Sequence, residues 1–411
     1  MLGKRLIKFG SSELKSLIVA KHLMTDHNVE IVDRRKRFSF DDSFNFHGKS
    51  FDCGYHAIDI GRSEVYNDIL LSLDIDWVKS PSTRSLVFNS KKYKRGYDLK
   101  ELDEDFSREV KNKFSSEFSK KLEGVYGSEF VSYALENISQ SYTQNCIWQE
   151  KKLSDKVILT NIYPWFFPVT SKDVEGGLNN IRPHFHNHMV EENMVMYPKV
   201  GSFQSITETL RGSLQNNMSR PSDGDYSFAE PDDNGIISVE PNTLNILPID
   251  YFDIAARFNL EFPDYVDTNF YLVSVVFGNA ISFDTHEILV GDKEYFIDRV
   301  SSPDTLSGSP DVTSLQFECE SFSDINEEEL LNNIRIFTDN FITNAQWVDC
   351  DIKRVKIKRY NVEGIDRKIQ KVISFVESRN PQVVVLNRHV NFENLSNGVE
   401  NLISKITGKV K

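Results

Sequence analysis

Apolar positions along this chain fall either at helical spacing or in short unbroken runs, and that pattern alone divides it into elements. Leu6 to Phe9 is a short apolar run ending at Gly10. Leu14, Leu17, Ile18 and Leu23 follow at helical spacing, and Val29-Glu-Ile-Val32 is a second buried run closed by Asp33. Strand, tight turn, helix and strand in so short a span have the size of a mononucleotide-binding half. A polar loop and the run Phe51-Asp-Cys-Gly-Tyr-His-Ala-Ile-Asp-Ile60 come next. From 63 to 160 the pattern is mostly helical, with a hairpin predicted around Ser85-Leu-Val-Phe88 and Tyr93. Residues 161–200 read as aromatic and irregular.

Beyond Tyr197-Pro-Lys-Val-Gly201, Ser202 is placed to cap a helix carrying Ile206, Leu210 and Leu214. Residues 219–245 are turn-rich and predict hairpins, and β-branched or aromatic alternation predicts strands at 269–277, 281–290 and 294–300. Ile325 to Phe341 and residues 363–377 read as amphipathic helices. Val383-Val-Val-Leu386 reads as a fully buried strand, followed by a helix from Leu395 to Ile406. A closing strand and helix of this kind fit a return to the N-terminal sheet. A nucleotide-binding domain interrupted by a substrate domain is the architecture expected.

Composition narrows the class. A chain of 411 residues, 39% hydrophobic and 27% charged, holds enough apolar material for two or three domains. Its formal charge of 48 − 61 = −13 disfavours non-specific binding to nucleic acid or anionic membrane. Cys53, Cys146, Cys319 and Cys350 lie far apart, which suits a reducing compartment, and no run is long and apolar enough to span a membrane. A cytoplasmic protein of undetermined oligomeric state is expected. No Ser-His-Asp spacing, nucleophile elbow or P-loop occurs. His184, His186 and His188 alternate as metal ligands could, yet no carboxylate or cysteine at ligand spacing supports them, and no metal is predicted. Glycine is scarce: 20 residues, against roughly 7% in average proteins.

Three spaced segments carry a resemblance. The opening β-α-β unit, Phe51-Asp-Cys-Gly-Tyr-His56 and Val383-Val-Val-Leu-Asn-Arg-His-Val-Asn-Phe-Glu-Asn-Leu-Ser396 together resemble the amine-oxidase and protoporphyrinogen-oxidase-like flavoproteins, a group near UDP-galactopyranose mutase. Tyr197-Pro-Lys-Val-Gly201 and Leu244-Asn-Ile-Leu-Pro248 are weaker echoes. The resemblance implies an α/β fold: a Rossmann-like FAD/NAD(P)-binding domain with an inserted antiparallel β-sheet plus helical substrate domain. Residues 1–80, 200–250 and 350–411 would form the first, and 81–199 with 251–349 the second. FAD is the cofactor so implied. The activity implied is a flavin-dependent oxidoreductase or mutase acting on a small polar metabolite, by analogy a nucleotide sugar of surface-polysaccharide biosynthesis.

By the same resemblance, His56 and Arg388 orient and charge-stabilise the isoalloxazine. Gly54 belongs to the flavin-proximal loop, Asp33 holds the adenosine ribose, and Ser11, Ser12, Glu13, Arg34 and the Ser396 helix start face the phosphates. Aromatic residues from Tyr163 to Phe167 would line the substrate cavity by this resemblance, although such a cluster more often packs as core or domain interface. Each residue has a plainer reading as well. Asp33 serves as a cap, His56 as a core histidine and Arg34 to Arg37 as a solvated face.

The departures point elsewhere. Counted from the end of the first helix, the three fingerprint glycines fall on Ser11, Glu13 and Ser16, and the glycine of the C-terminal motif is Asn387. A carboxylate at Glu13 would sit near two phosphate charges. The alternative is therefore a cofactor-less, non-catalytic relative acting as a partner or regulatory protein.

Overall fold

The computed structural model describes residues 6–33, 42–54, 57–59, 64–81, 83–88, 91–94, 194–219, 229–261, 265–290, 294–321, 324–361, 365–386 and 395–410. The first unit is built as expected: β1 (Leu6–Phe9), α1 (Leu14–Leu23) and β2 (Asn28–Val32). Strands β10 (Met218–Ser219), β11 (Thr243–Leu247) and β17 (Val383–Val385) complete a five-stranded parallel sheet in the order β10-β2-β1-β11-β17. Ile7 lies level with Val29 on one side and Leu244 on the other. Both faces are covered, which is why these strands read as continuous apolar runs.

One face packs against α1, α2 (Glu64–Leu71), α3 (Gln204–Leu214) and α8 (Leu395–Val410), burying Leu17, Ile18, Ile206, Leu210, Val399 and Ile406. The other packs against α4 (Tyr251–Arg257) and α7 (Ile365–Arg379) through Tyr251, Ile254, Ile369, Val372 and Val376. The sheet is thus wrapped on both sides.

Two expectations here are corrected. Among its described residues the turn-rich segment shows no hairpin: 229–242 has no strand and leads into β11, a central strand of the parallel sheet. Its turn residues close loops instead, Asp232 Oδ1 accepting from the Asn234 and Ile236 amides, both at 2.9 Å. Ser202 does not cap α3, whose first turn lacks a side-chain cap. Its hydroxyl lies 2.7 Å from Ser43 Oγ.

The second sheet has seven strands, in the order β16-β12-β15-β14-β13-β7-β8. They are β7 (Arg84–Phe88), β8 (Lys91–Lys94), β12 (Tyr265–Phe277), β13 (Glu287–Val290), β14 (Ile297–Ser301), β15 (Ser314–Ser321) and β16 (Trp347–Asn361). All neighbours are antiparallel except β13 and β7. The predicted hairpin is β7–β8, whereas 281–290 shortens to Glu287–Val290 because the preceding residues run as loop. The division at 350 cuts through β16, which pairs along β12 within this sheet.

Helix α6 (Glu327–Phe341) covers one face, packing Leu330, Ile334 and Phe337 on Val273, Leu315, Phe317 and Cys319. The opposite face carries Gln316, Glu318 and Glu320 by strand alternation.

Between the sheets sits the hairpin β3 (Ser43–Phe46) and β4 (Lys49–Asp52), turned by His47 and Gly48, both at positive φ (49° and 73°). It docks on β16 through His47 Nε2 and Asp349 Oδ2 at 2.7 Å and through Lys353 over the Phe44 ring. A three-stranded sheet orders β5 (Ile58–Asp59), β9 (Met194–Pro198) and β6 (Trp77–Pro81). Strand β9 therefore lies within the stretch expected to be irregular. Helix α5 (Pro303–Leu306) completes the described elements.

Candidate functional site

The turn from β1 into α1 brings the first predicted residues together. The Gly10 amide donates to the Ile246 carbonyl at 2.8 Å, and a Cβ there would meet Leu247 Cδ2 at 2.9 Å and Ile246 O at 3.4 Å. A side chain here would push against the Leu247 side chain of β11, so the close packing favours glycine at this point. Ser11 and Ser12 are buried. Glu13 precedes the first helical residue with extended backbone, and its side chain caps nothing.

At the end of β2, Asp33 Oδ1 accepts from Ser12 Oγ at 3.0 Å and lies 2.9 Å from Arg211 Nη1. Arg211, from the last turn of α3, also donates through Nη2 to Ser12 Oγ and, at 3.4 Å, to the Ser12 carbonyl. One guanidinium thus ties the β1–α1 turn to the end of β2. Counted from the strand end, where the fingerprint begins, its three positions are Gly10, Ser12 and Lys15. They lie one residue earlier than the register taken from the helix end, because the close approach at Gly10 fixes the turn.

The second gathering lies between the domains. Asp52 is buried, its Oδ2 accepting from the Tyr197 hydroxyl at 2.6 Å and its Oδ1 from the Phe203 amide at 2.9 Å. Desolvation pushes its carboxyl up to about 7 against the pull of those two hydrogen bonds. Burial likewise raises the Tyr197 phenol and lifts the Cys53 thiol to about 12, so Cys53 is no ready nucleophile.

The Asp52 carbonyl accepts from Gln316 Nε2 at 2.7 Å, anchoring the turn to β15. Gly54 follows with φ 122°, a conformation side chains rarely adopt, and a Cβ there would stand 3.6 Å from Glu318 Oε1. Around Glu318 runs a row of charges, its carboxylates buried and its arginine partly exposed. Arg299 Nη1 lies 3.7 Å from Glu318 Oε1, and Arg299 Nε lies 3.1 Å from Glu287 Oε2. Glu287 and Glu320 are buried alongside. These carboxylates suit hydroxyl or ammonium donors.

Of the remaining predicted residues, Arg34, His56 and Arg388 lie outside the described residues, as do Tyr163 to Phe167 and the three alternating histidines. Ser396 sits in the first turn of α8, with its side chain undescribed. Sequence reasoning missed Arg211, Glu287, Arg299 and Glu318. Arg211 adjoins the buried positions Leu210 and Leu214 of α3, and Glu318 alternates with Phe317 and Cys319. Both patterns read as ordinary solvated charges.

A separate open groove of about 670 Å³ is bordered by Ser43, Lys49, Gly201, Gln204 and Asp304. It includes none of the predicted site residues.

A parallel sheet wrapped by helices and joined to a large, mainly antiparallel sheet is an arrangement found in solved structures. Reduced UDP-galactopyranose mutase superposes with a TM-score of 0.68 at 13% identity, over 99% of this chain and 94% of that one. A protoporphyrinogen-oxidase-like protein from an Exiguobacterium species gives 0.62 at 14%, over 99% of each chain. The chain has the fold of the amine-oxidase and protoporphyrinogen-oxidase-like flavoproteins. Cyclohexylamine oxidase from Brevibacterium oxydans shares that flavoprotein fold, with a TM-score of 0.56 at 10% identity over 99% of each chain. No family model and no curated protein matches the sequence. No helix among the described residues is long and apolar enough to cross a membrane.

The crevice residues do not fit a dinucleotide. The fold needs bare backbone at the second fingerprint position, and here Ser12 carries a hydroxyl engaged by Asp33 and Arg211. Asp33, the carboxylate placed for ribose hydroxyls, is already paired. Glu13 adds negative charge where phosphates would lie.

Proposed function

We propose that this chain uses a flavoenzyme scaffold to bind a small polar metabolite in front of Cys53–Gly54, on the charged face of the seven-stranded sheet. The buried carboxylates of Glu287 and Glu318, paired with a partly exposed Arg299, carry this reading. A face needed only for packing would be apolar, as its reverse is at Leu315, Phe317 and Cys319. Desolvating charged groups costs several kcal/mol per ion, about the scale of a protein's whole stability margin, so a row of them calls for a reason. Hydroxyl-rich ligands fit such acceptors; a nucleotide sugar of surface-polysaccharide biosynthesis is the first candidate, its sugar end, not its phosphates, facing these carboxylates. The misfit at the crevice favours a cofactor-less partner or regulatory protein over a flavin-dependent oxidoreductase or mutase.

Titration calorimetry with UDP-galactose and with galactose tests the ligand. Saturable binding that weakens at least tenfold in Glu318→Gln is expected; heats unchanged by that substitution, or no binding of either sugar, would overturn the site. The cofactor is read separately, from the absorbance spectrum of the purified protein. A flavin band released on denaturation restores the redox reading.

A further inference from the structure

We infer that Arg211 is a built-in substitute for the dinucleotide, an internal cation that closes the crevice a dinucleotide's pyrophosphate and ribose would enter. This goes beyond the metabolite reading and stands independently of it, since it concerns the parallel sheet alone. In dinucleotide folds two features hold the adenine half of the ligand: a bare-backbone turn after the first strand, and a carboxylate at the end of the second. Here both are joined to each other by one side chain.

Arg211 Nη1 stands 2.9 Å from Asp33 Oδ1, and Nη2 contacts both the hydroxyl and the carbonyl of Ser12. Ser12 Oγ in turn donates to the same Asp33 oxygen at 3.0 Å. Helix α3 holds the guanidinium in place, because Ile206, Leu210 and Leu214 are buried in the core that also takes Leu14, Leu17 and Ile18 of α1. The Arg211 side chain is only 17% exposed, so its position is set by the fold.

Charge and geometry point the same way. Asp33 compensates the guanidinium, so at the Ser12–Asp33–Arg211 contact the crevice presents a satisfied pair. An entering pyrophosphate would have to pull Arg211 away, leaving Asp33 facing two phosphate charges with Glu13 close by in the turn. An entering ribose diol would compete for the carboxylate oxygen that Ser12 and Arg211 already share. The pair does locally what a bound ligand does elsewhere, tying turn to strand end, and the Rossmann-like domain keeps its shape without a cofactor.

The test uses the full chain and two readouts. Wild type is expected to purify without flavin and to give no quenching of FAD fluorescence up to about 1 mM protein. In Arg211→Ala the melting temperature is expected to fall by about 1 °C. The combined variant Ser12→Gly, Glu13→Gly, Arg211→Ala is expected to gain at least tenfold in FAD affinity over wild type. Arg211→Gln, which keeps hydrogen-bond donors but loses the charge, supplies the melting shift if the combined variant does not fold. Flavin retained by wild type and lost in Arg211→Ala would overturn the inference by making Arg211 a phosphate ligand. An unchanged melting temperature in both single variants would overturn it by removing the tie.

Discussion

The crevice of the parallel sheet and the charged face of the seven-stranded sheet each set one arginine against carboxylates, but at different depths. Asp33 is 32% exposed beside Arg211, whereas Glu287 is 3% exposed beside Arg299. Water screens the first pair, so its making or breaking shifts stability by about 1 kcal/mol at most. In the second, the Glu287 carboxylate is desolvated while Arg299 is 33% exposed, so removing the arginine leaves a buried carboxylate without its cation. A shallow network of that kind is easily acquired when a ligand is no longer held. A buried one is costly to keep without a use. The two arginines therefore serve the two proposals differently: Arg211 carries the closing of the crevice, and Arg299 the binding of a metabolite.

The sharpest way to break this contrast is Arg299→Met, which leaves Glu287 and Glu318 buried without their shared cation. A loss of about 3–5 kcal/mol in urea unfolding is expected, several times the loss in Arg211→Ala. Equal losses in the two variants would erase the distinction in depth.

Next in size is the Asp52 carboxyl, which joins the Cys53–Gly54 turn to the start of α3. Its value is raised from 3.8 to about 7 in the folded state. The folded protein thus binds the proton more tightly than the unfolded chain. This group's stabilising contribution is full below pH 4 and is lost as pH rises through 7. Asp52→Asn keeps an acceptor for the Phe203 amide and a donor for the Tyr197 oxygen. It is expected to flatten the fall in stability across that window, a change on the order of 3 kcal/mol between its ends. A slope identical to wild type in denaturant titrations at pH 4, 6 and 8 would assign the fall to other groups.

Gly10→Ala probes the crevice's own wall. Its methyl group meets Leu247 and the Ile246 carbonyl, so a loss of about 1–3 kcal/mol is expected from overpacking. Thermal melting of this variant beside Arg211→Ala separates the cost of the backbone approach from that of the ion pair. A Gly10→Ala melting temperature equal to wild type would show that β1 and β11 can part there.

Three strands of the parallel sheet, β1, β2 and β17, were legible because they are buried on both faces and mostly apolar, as at Val383–Val385, whereas β10 and β11 were hidden by the turn-rich residues around them. Strand β15 was not, because Ser-Leu-Gln-Phe-Glu-Cys-Glu-Ser alternates with polar residues that look solvated until another domain covers them. The β3–β4 hairpin hid in the same way, since a His47–Gly48 turn lacks the usual Asn-Gly signal. Candidate residues divide along the same line. Ser12, Asp33 and Gly54 could be named from motif order, whereas Arg211, Arg299 and Glu318 could not.

By itself the sequence determined the β-α-β opening, the closing strand and helix, and the missing glycines, because local spacing and backbone demands act within a few residues. Only the tertiary structure decided which charges meet. Arg211 reaches Ser12 across 199 positions of chain, and Arg299 reaches Glu287 and Glu318 from three different strands. Ion pairs of that kind depend on strand order and helix packing, which set distance and burial together. No local pattern encodes either one.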